Sequence, residues 1–425
     1  MTIVQQERPA AVRIDDLAEP VFAPEVLELR TAVASLAGDV RLDRDALLAD
    51  ARQQTGLGDF GEAGFTERLD VLLRALREEA QLSPFGVVSN YLLLRQLLCN
   101  RLLVEDLLRR HPEIHDVPLA RPIIIAGLPR TGTTHLHNLI SSDPALRSLP
   151  YWESLEPVLA DAEKPAGAAP DPRLARTEMA LGFVNSAMPY FVRMHEMTAD
   201  HVHEEIQLLA IDFSSMLFET IALIPSWRDY YRAHDQTPHY AYMRKVLQAL
   251  SWLRGGGKRW VLKSPQHLEQ LGPLARVFPD ATFVVTHRDP VSITASMATM
   301  IAYTARMNVE RPDPAACGRY WSARVEDLLR SCVRDRALLP AAQSLDVRFQ
   351  DLTADDFAMV ERIFALAGHP MTPAARSAMA EFLVAHPRGR HGTVVYDTAA
   401  VGLERAERRA SLRFYAERFD LAEEG

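Results

Sequence analysis

The stretch at residues 123–140, IIIAGLPRTGTTHLHNLI, constrains the fold more than any other. Three isoleucines and an alanine precede a loop bounded by Gly127 and Gly132, and helix-compatible residues follow from Thr133. A short apolar run closed by turn residues reads as a strand buried on both faces. Such strands belong to parallel sheets covered by helices. A helix that starts directly after the loop aims unpaired N–H groups and the positive end of its dipole at whatever lies above. The two glycines have the spacing of G-x-x-x-x-G-K-[ST], but Thr133 stands where a lysine would answer the β- and γ-phosphates. The loop therefore suits an anion without a γ-phosphate, its cation moved forward to Arg130.

The rest of the chain fits that frame. Three more segments read as strands, RWVLKS (259–264), ATFVVTHR (281–288) and LDVRFQDL (345–352), each with a helical stretch behind it. Strands alternating with helices give an α/β fold, a P-loop-like parallel β-sheet flanked by helices. Residues 1–118 have apolar positions at helical spacing and no cluster of reactive side chains. They read as a helical cap packed on the remainder, residues 119–425, or as a contact between copies of the chain. A helical insert at about 155–255 opens with the Pro/Ala-rich loop 163–172. It continues in helices near 173–193, 203–223 and 237–254. An insert of this size on a parallel sheet commonly forms the substrate pocket.

A second basic element, FVVTHRDPVSITASM, lies at 283–297. The strand run ends in Arg288, and Asp289-Pro290 has the form of an N-cap followed by the first helical position. Ser292 and Ser296 are four apart, on one face of the helix that follows. Strand C-terminal ends form the ligand crevice of a parallel sheet, so Arg130 and Arg288 are expected on the same edge.

With these elements the chain resembles the sulfotransferases that use 3′-phosphoadenosine-5′-phosphosulfate (PAPS), most closely their bacterial branch. Their 5′-phosphosulfate loop, P-[KR]-[ST]-G-T-[ST], appears as Pro129-Arg130-Thr131-Gly132-Thr133-Thr134. Their 3′-phosphate arginine and the serine eight positions on appear as Arg288 and Ser296. A late R-x-G-T appears as Arg390-His391-Gly392-Thr393, a segment that in the family also reaches the 3′-phosphate. His135 stands where the cytosolic branch has an adenine-contacting tryptophan. The resemblance implies PAPS as donor, with Arg130 to Thr134, His135, Arg288, Ser296, Arg390, His391 and Gly392 as its contacts.

Sulfuryl transfer needs an in-line acceptor, stabilisation of the leaving phosphate and a base for the acceptor proton. Arg130 is expected to stabilise the leaving group, assisted by Lys263 at the end of a strand. Glu153, in LPYWESLEP, is favoured as base, because the tyrosylprotein and bacterial branches have a glutamate at about this point. His267, in KSPQHLEQL, comes second; Glu204 and Glu205, in DHVHEEIQLL, are further candidates. HVHEE and HLH (135–137) lack H-E-x-x-H spacing and no cysteine supports them, so no metal is expected. The insert is rich in Met and aromatic residues, which favours a hydrophobic alcohol, phenol, sterol or lipid as acceptor.

Net charge is −9, which leaves no general attraction to nucleic acid or acidic membranes. The most apolar long run, 206–224, contains Asp212 and Glu219 and reads as a buried helix rather than a membrane span. No signal-peptide core opens the chain, so a cytoplasmic location is expected. Lysine occurs only at 164, 245, 258 and 263 against an abundance of arginine, a bias of GC-rich bacterial genomes. Two other functions fit parts of this pattern: a P-loop kinase or triphosphatase, and a non-catalytic nucleotide-binding homologue. Thr133 and the lack of a metal-binding aspartate after a strand speak against the first.

Overall fold

The computed structural model describes residues 9–165 and 169–424. Residues 166–168 of the Pro/Ala-rich loop and the first eight residues of the chain lie outside the described residues. A five-stranded parallel sheet forms the frame, built from β1 (Ile123–Ala126), β2 (Leu146–Arg147), β5 (Arg259–Ser264), β6 (Thr282–His287) and β7 (Ser344–Arg348). Its order is β2-β5-β1-β6-β7. A separate antiparallel pair joins β3 (Leu149–Pro150) to β4 (Val202–His203).

β1 sits at the centre, and its residues alternate between two cores as a strand's period of two requires. Ile123 and Ile125 face a smaller cluster with Leu136, Ile363 and Met379. Ile124 and Ala126 face the larger core, which runs on through the N-terminal helices and the insert. The register sets Ile125 beside Lys263 and Val284, so β1, β5 and β6 end on one edge.

The N-terminal region is helical, with helices Pro24–Ala34, Arg44–Thr55, Phe65–Glu78 and Pro84–Arg110. It is tied to the insert by charge as well as by packing. Asp212 accepts from Arg68 (2.7 Å), Arg101 (2.8 Å) and His239 (2.5 Å). Its carboxyl stays below the usual range, because these partners outweigh the penalty of burial.

Two sequence expectations change. The strand expected over 345–352 stops at Arg348, and a helix, Phe349–Ala354, follows at once. The helix expected over 203–223 is broken into Ile206–Ala210 and Leu217–Ile221. Between them Asp212 is fixed by its three partners and Phe213 has φ 52°, a left-handed backbone that no α-helix tolerates. β2, β3 and β4 have only two residues each, too few to show a periodicity. No described helix is long and apolar enough to cross a membrane.

Candidate functional site

The loop after β1 is fixed from below. Gly127 passes so close to β6 that a Cβ there would lie 2.0 Å from Thr286 Oγ1. The Thr286 hydroxyl meets that of Thr131 at 2.7 Å, and Thr131 also donates to the Leu128 carbonyl at 2.6 Å. Gly132, with φ 86°, caps the helix Thr133–Ser141. Arg130 carries φ 71°, a left-handed conformation in a non-glycine residue at the centre of the site. Its guanidinium donates to the Met194 carbonyl at 2.7 Å, which draws the insert over the loop.

β5 and β6 deliver the other cations. Lys263, almost wholly buried, pairs with Glu204 and reaches Thr134 Oγ1 at 3.4 Å. Arg288 donates to the Arg130 carbonyl at 2.7 Å and lies over the Phe349 ring at 4.0 Å. Its remaining N–H groups hold the Glu424 carboxylate at two points, each 2.7 Å. Asp289 caps the next helix, Pro290–Ala305, by accepting from the Val291 N–H at 3.2 Å. On that helix Ser296 is buried and borders neither cavity, and among the described residues its hydroxyl has no partner.

Two adjoining cavities open over this edge. The first, about 510 Å³, is floored by Arg130, Thr133, Thr134 and Arg288 and bordered by Glu204. Its remaining wall is largely apolar, with Phe191, Met194, Met197, Met216 and Leu217 from the insert and Met297, Met300 and Ile301 from the Pro290–Ala305 helix. The second, about 740 Å³, is polar at its far end, where Asn138, Ser141, Arg390 and His391 face it. Arg130, Thr134, His135 and His195 border both.

The sequence-selected residues divide accordingly. Arg130, Gly132, Thr133, Thr134, His135 and Arg288 come together at the first cavity. Thr131 lies beneath the loop. Arg390, His391 and Gly392 border the second cavity, where Arg390 pairs with Glu196 and His391 meets the same carboxylate at 3.1 Å. His135 bonds to Asp356 at 2.9 Å.

The base candidates do not share one place. Glu153, first choice from the sequence, borders neither cavity. Its carboxylate is buried against Arg254 at 2.7 Å, with Arg147 at 3.9 Å; burial raises its pKa against the pull of both. His267 also borders neither cavity. It is enclosed between the Tyr240 hydroxyl (2.9 Å) and Glu205 (3.2 Å), and burial together with the Lys263 charge pushes its pKa down to about 3. Burial raises the pKa of Glu205 well above the ordinary range. Of the four, only Glu204 borders a cavity.

Several cavity residues escaped the sequence reading. Arg388, two positions before the arginine of R-x-G-T, joins Arg288 and Phe349 at the first cavity. The motif selected the other arginine of the same R-G-R run. His201 and His203, the histidines of HVHEE for which no metal is expected from the sequence, stand with His195, which the sequence reading passed over, and one ring nitrogen from each lies within 4.8 Å of the others. A period-two reading of 201–203 would have put two of these rings on one face.

Comparison with known proteins follows the same lines. Residues 122–373 match the family model described as the sulfotransferase family. Among solved structures, the sulfotransferase STF1 from Mycobacterium tuberculosis H37Rv is similar at 32% identity, with 87% of this chain and 98% of that chain covered and a TM-score of 0.75. The sulfotransferase STF9 from Mycobacterium avium is similar at 25% identity over 91% of this chain and 99% of that chain, with a TM-score of 0.80. No curated protein sequence matches.

Proposed function

The chain belongs to the sulfotransferase family, and from that premise we propose that it moves a sulfuryl group from PAPS to a hydroxyl or amine of a hydrophobic small molecule or lipid. One observation carries the reading: cations and a helix N-terminus line the floor of a cavity whose opposite wall is methionine and aliphatic carbon. An anionic donor fits the floor and an apolar acceptor fits the wall.

The fit to the donor rests on three features. The loop between Gly127 and Thr134 presents backbone N–H groups and threonine hydroxyls for a 5′-phosphosulfate. Arg288 already grips a carboxylate at two points, the geometry in which it would hold a 3′-phosphate. Ser296 offers a buried hydroxyl with no other partner among the described residues. Arg388 lines the same cavity as Arg288 and is the better placed late-loop cation for that phosphate, once it leaves Asp356 at 2.8 Å; Arg390 lines the second cavity and is paired with Glu196.

Bound PAPS supplies the sulfuryl group and a phosphate leaving group. Arg130 and Lys263 hold positive charge against the leaving oxygen, where fixed cations lower the barrier most. Glu204 takes the acceptor proton, because it is the candidate carboxylate that meets the cavity. Lys263 touches both Glu204 and Thr134, so it fixes the base relative to the donor loop. The Met-rich wall turns the acceptor's apolar body away from water and its hydroxyl towards Glu204.

Thermal stabilisation tests the donor. Adenosine 3′,5′-bisphosphate without magnesium should stabilise the chain by about 2.7 kcal/mol at a hundred times its Kd, and ATP should not. Labelled PAPS offered with alcohols, phenols and sterols tests the acceptor. Stabilisation by magnesium-ATP alone, or transfer confined to polysaccharides, would overturn the reading.

A further inference from the structure

His195, His201 and His203 form the partition between the two cavities: His195 borders both, His203 the first and His201 the second. His201 and His203 are two apart where the chain turns into β4, and their rings meet edge to face at 4.9 Å between centroids. His201 Nε2 and His203 Nδ1 are 2.9 Å apart, and the three rings can bring one nitrogen each within 4.8 Å of the others.

His201 Nδ1 lies 2.5 Å from the Thr198 carbonyl and 3.2 Å from the Thr198 N–H, so it donates to the one or accepts from the other according to the ring tautomer. His201 Nε2 meets His203 Nδ1, one of the pair donating to the other. Among the described residues His203 Nε2 is buried and has no hydrogen-bond partner. Among the described residues no hydrogen bond holds the ring of His195, so it can turn towards the other two. Tyr151 packs on His203 and His201 at 4.5 and 5.1 Å between ring centroids and closes the apolar side of the cluster.

We propose that His195, His201 and His203 bind a divalent transition ion of the zinc class, with its fourth position open towards the first cavity. Three imidazoles and no cluster of hard oxygen donors favour zinc, cobalt, nickel or copper over magnesium or calcium. A carbonyl accepting from the far nitrogen of a ligating histidine is the usual support of such a site, and Thr198 supplies it for His201. Tetrahedral zinc at ordinary bond lengths needs nitrogens about 3.3 Å apart. One nitrogen from each ring already lies within 4.8 Å of the others, and the three close to that spacing around the ion. The bound ion cross-links the segment 195–203 and offers its open position to an oxygen in the cavity that Glu204 borders. The site stands independently of the donor's identity.

The test uses the full chain, stripped with a chelator, and zinc chloride followed by calorimetry. Saturable binding of about one ion per chain with a rise in melting temperature is expected. Cobalt(II) in its place should give the intense visible absorption of a four-coordinate ion. His201→Gln and His203→Gln should each weaken binding at least about tenfold, and His115→Gln, outside the cluster, should not. Far-ultraviolet circular dichroism and a cooperative urea melt of each stripped variant check that it folds. If His203→Gln fails that check, the half-buried His195→Gln decides. No saturable binding, unchanged affinity in the cluster variants, or a six-coordinate cobalt spectrum would each overturn the site.

Discussion

Arg288 and Glu424 face each other as a two-point ion pair, both contacts at 2.7 Å, on the guanidinium assigned to the donor's 3′-phosphate. A carboxylate and a phosphate cannot occupy those N–H groups together. Glu424 must swing away for the donor to bind, so the pair opposes binding. With both side chains partly exposed, the pair is worth about 1 kcal/mol. Glu424→Gln should therefore tighten adenosine 3′,5′-bisphosphate about fivefold, and Arg288→Met should weaken it by more than that. Calorimetric titration reads both. Equal affinity in wild type and Glu424→Gln would show that the pair does not compete.

Glu204 and Glu153 should part company on mutation. Glu204→Gln should lower turnover by about 10²- to 10⁴-fold and leave product-nucleotide binding nearly unchanged. Glu153→Gln should keep turnover within a fewfold and lower stability by about 2 kcal/mol, because Arg254 and Arg147 lose their anion. Steady-state kinetics beside denaturant melts separates the two. A dead but stable Glu153→Gln would restore the glutamate favoured by the sequence.

Arg130 separates strain from function. Its left-handed backbone (φ 71°) costs a non-glycine residue about 1 kcal/mol. Arg130→Gly and Arg130→Ala should both lose about 10²- to 10³-fold in turnover. Only the glycine is relieved of the strain, so it should be about 1 kcal/mol more stable than the alanine. Equal melting of the two variants would show that the strain is absent in solution.

His137 and His267 predict acid lability. Burial, then the Lys263 charge, hold both near a pKa of about 3, against 6.5 for an unhindered imidazole. Between those values the unfolded chain binds protons that the native chain refuses, so stability rises with pH. Their contribution is complete above about 6.5 and falls away as the solution is acidified. Each ring approaches a loss of about 1.4 kcal/mol per pH unit well below 6.5. Urea melts from pH 7 to pH 5 measure the slope, which His267→Gln should reduce. A flat profile would contradict the burial of these rings.

Much of this frame is legible in the sequence, and the reasons are local. The β1 run, the glycine-bounded loop and the Asp289-Pro290 cap each complete their signal within a few residues. The apolar Trp260-Val261-Leu262 of β5 and the β-branched run of β6 marked those strands in the same way. What escaped depends on distant partners. The break at Phe213 follows from Asp212 meeting Arg68 and Arg101, more than a hundred residues earlier. Glu153 and Glu204 look alike as letters; only the placement of Arg254 and Lys263 decides which is sealed in and which faces a cavity. The histidine partition needs β4, two residues long, to bring two rings together, and the third ring arrives from a loop.

Arg101 tests the bond between the first helices and the insert. It donates to Asp212 and, at 2.7 Å, to the Phe60 carbonyl, and is itself buried. Arg101→Met should destabilise the chain by about 3 kcal/mol with the product-nucleotide affinity of the folded fraction unchanged. A loss under 1 kcal/mol would mean that Arg68 and His239 suffice for Asp212.

The Asp212 cluster also bears on how such a chain can change over generations. Every residue assigned to the donor or the acceptor proton lies beyond residue 122, whereas two of the three groups that let Asp212 stay buried lie before it. Recombination that exchanged the residues before 122 would leave the reactive groups intact and strand a charge within the insert. New partners for the later segment must therefore bring their own arginines, or the insert must first lose its aspartate. The portion of the gene that encodes the chemistry is smaller than the portion that can move as one piece.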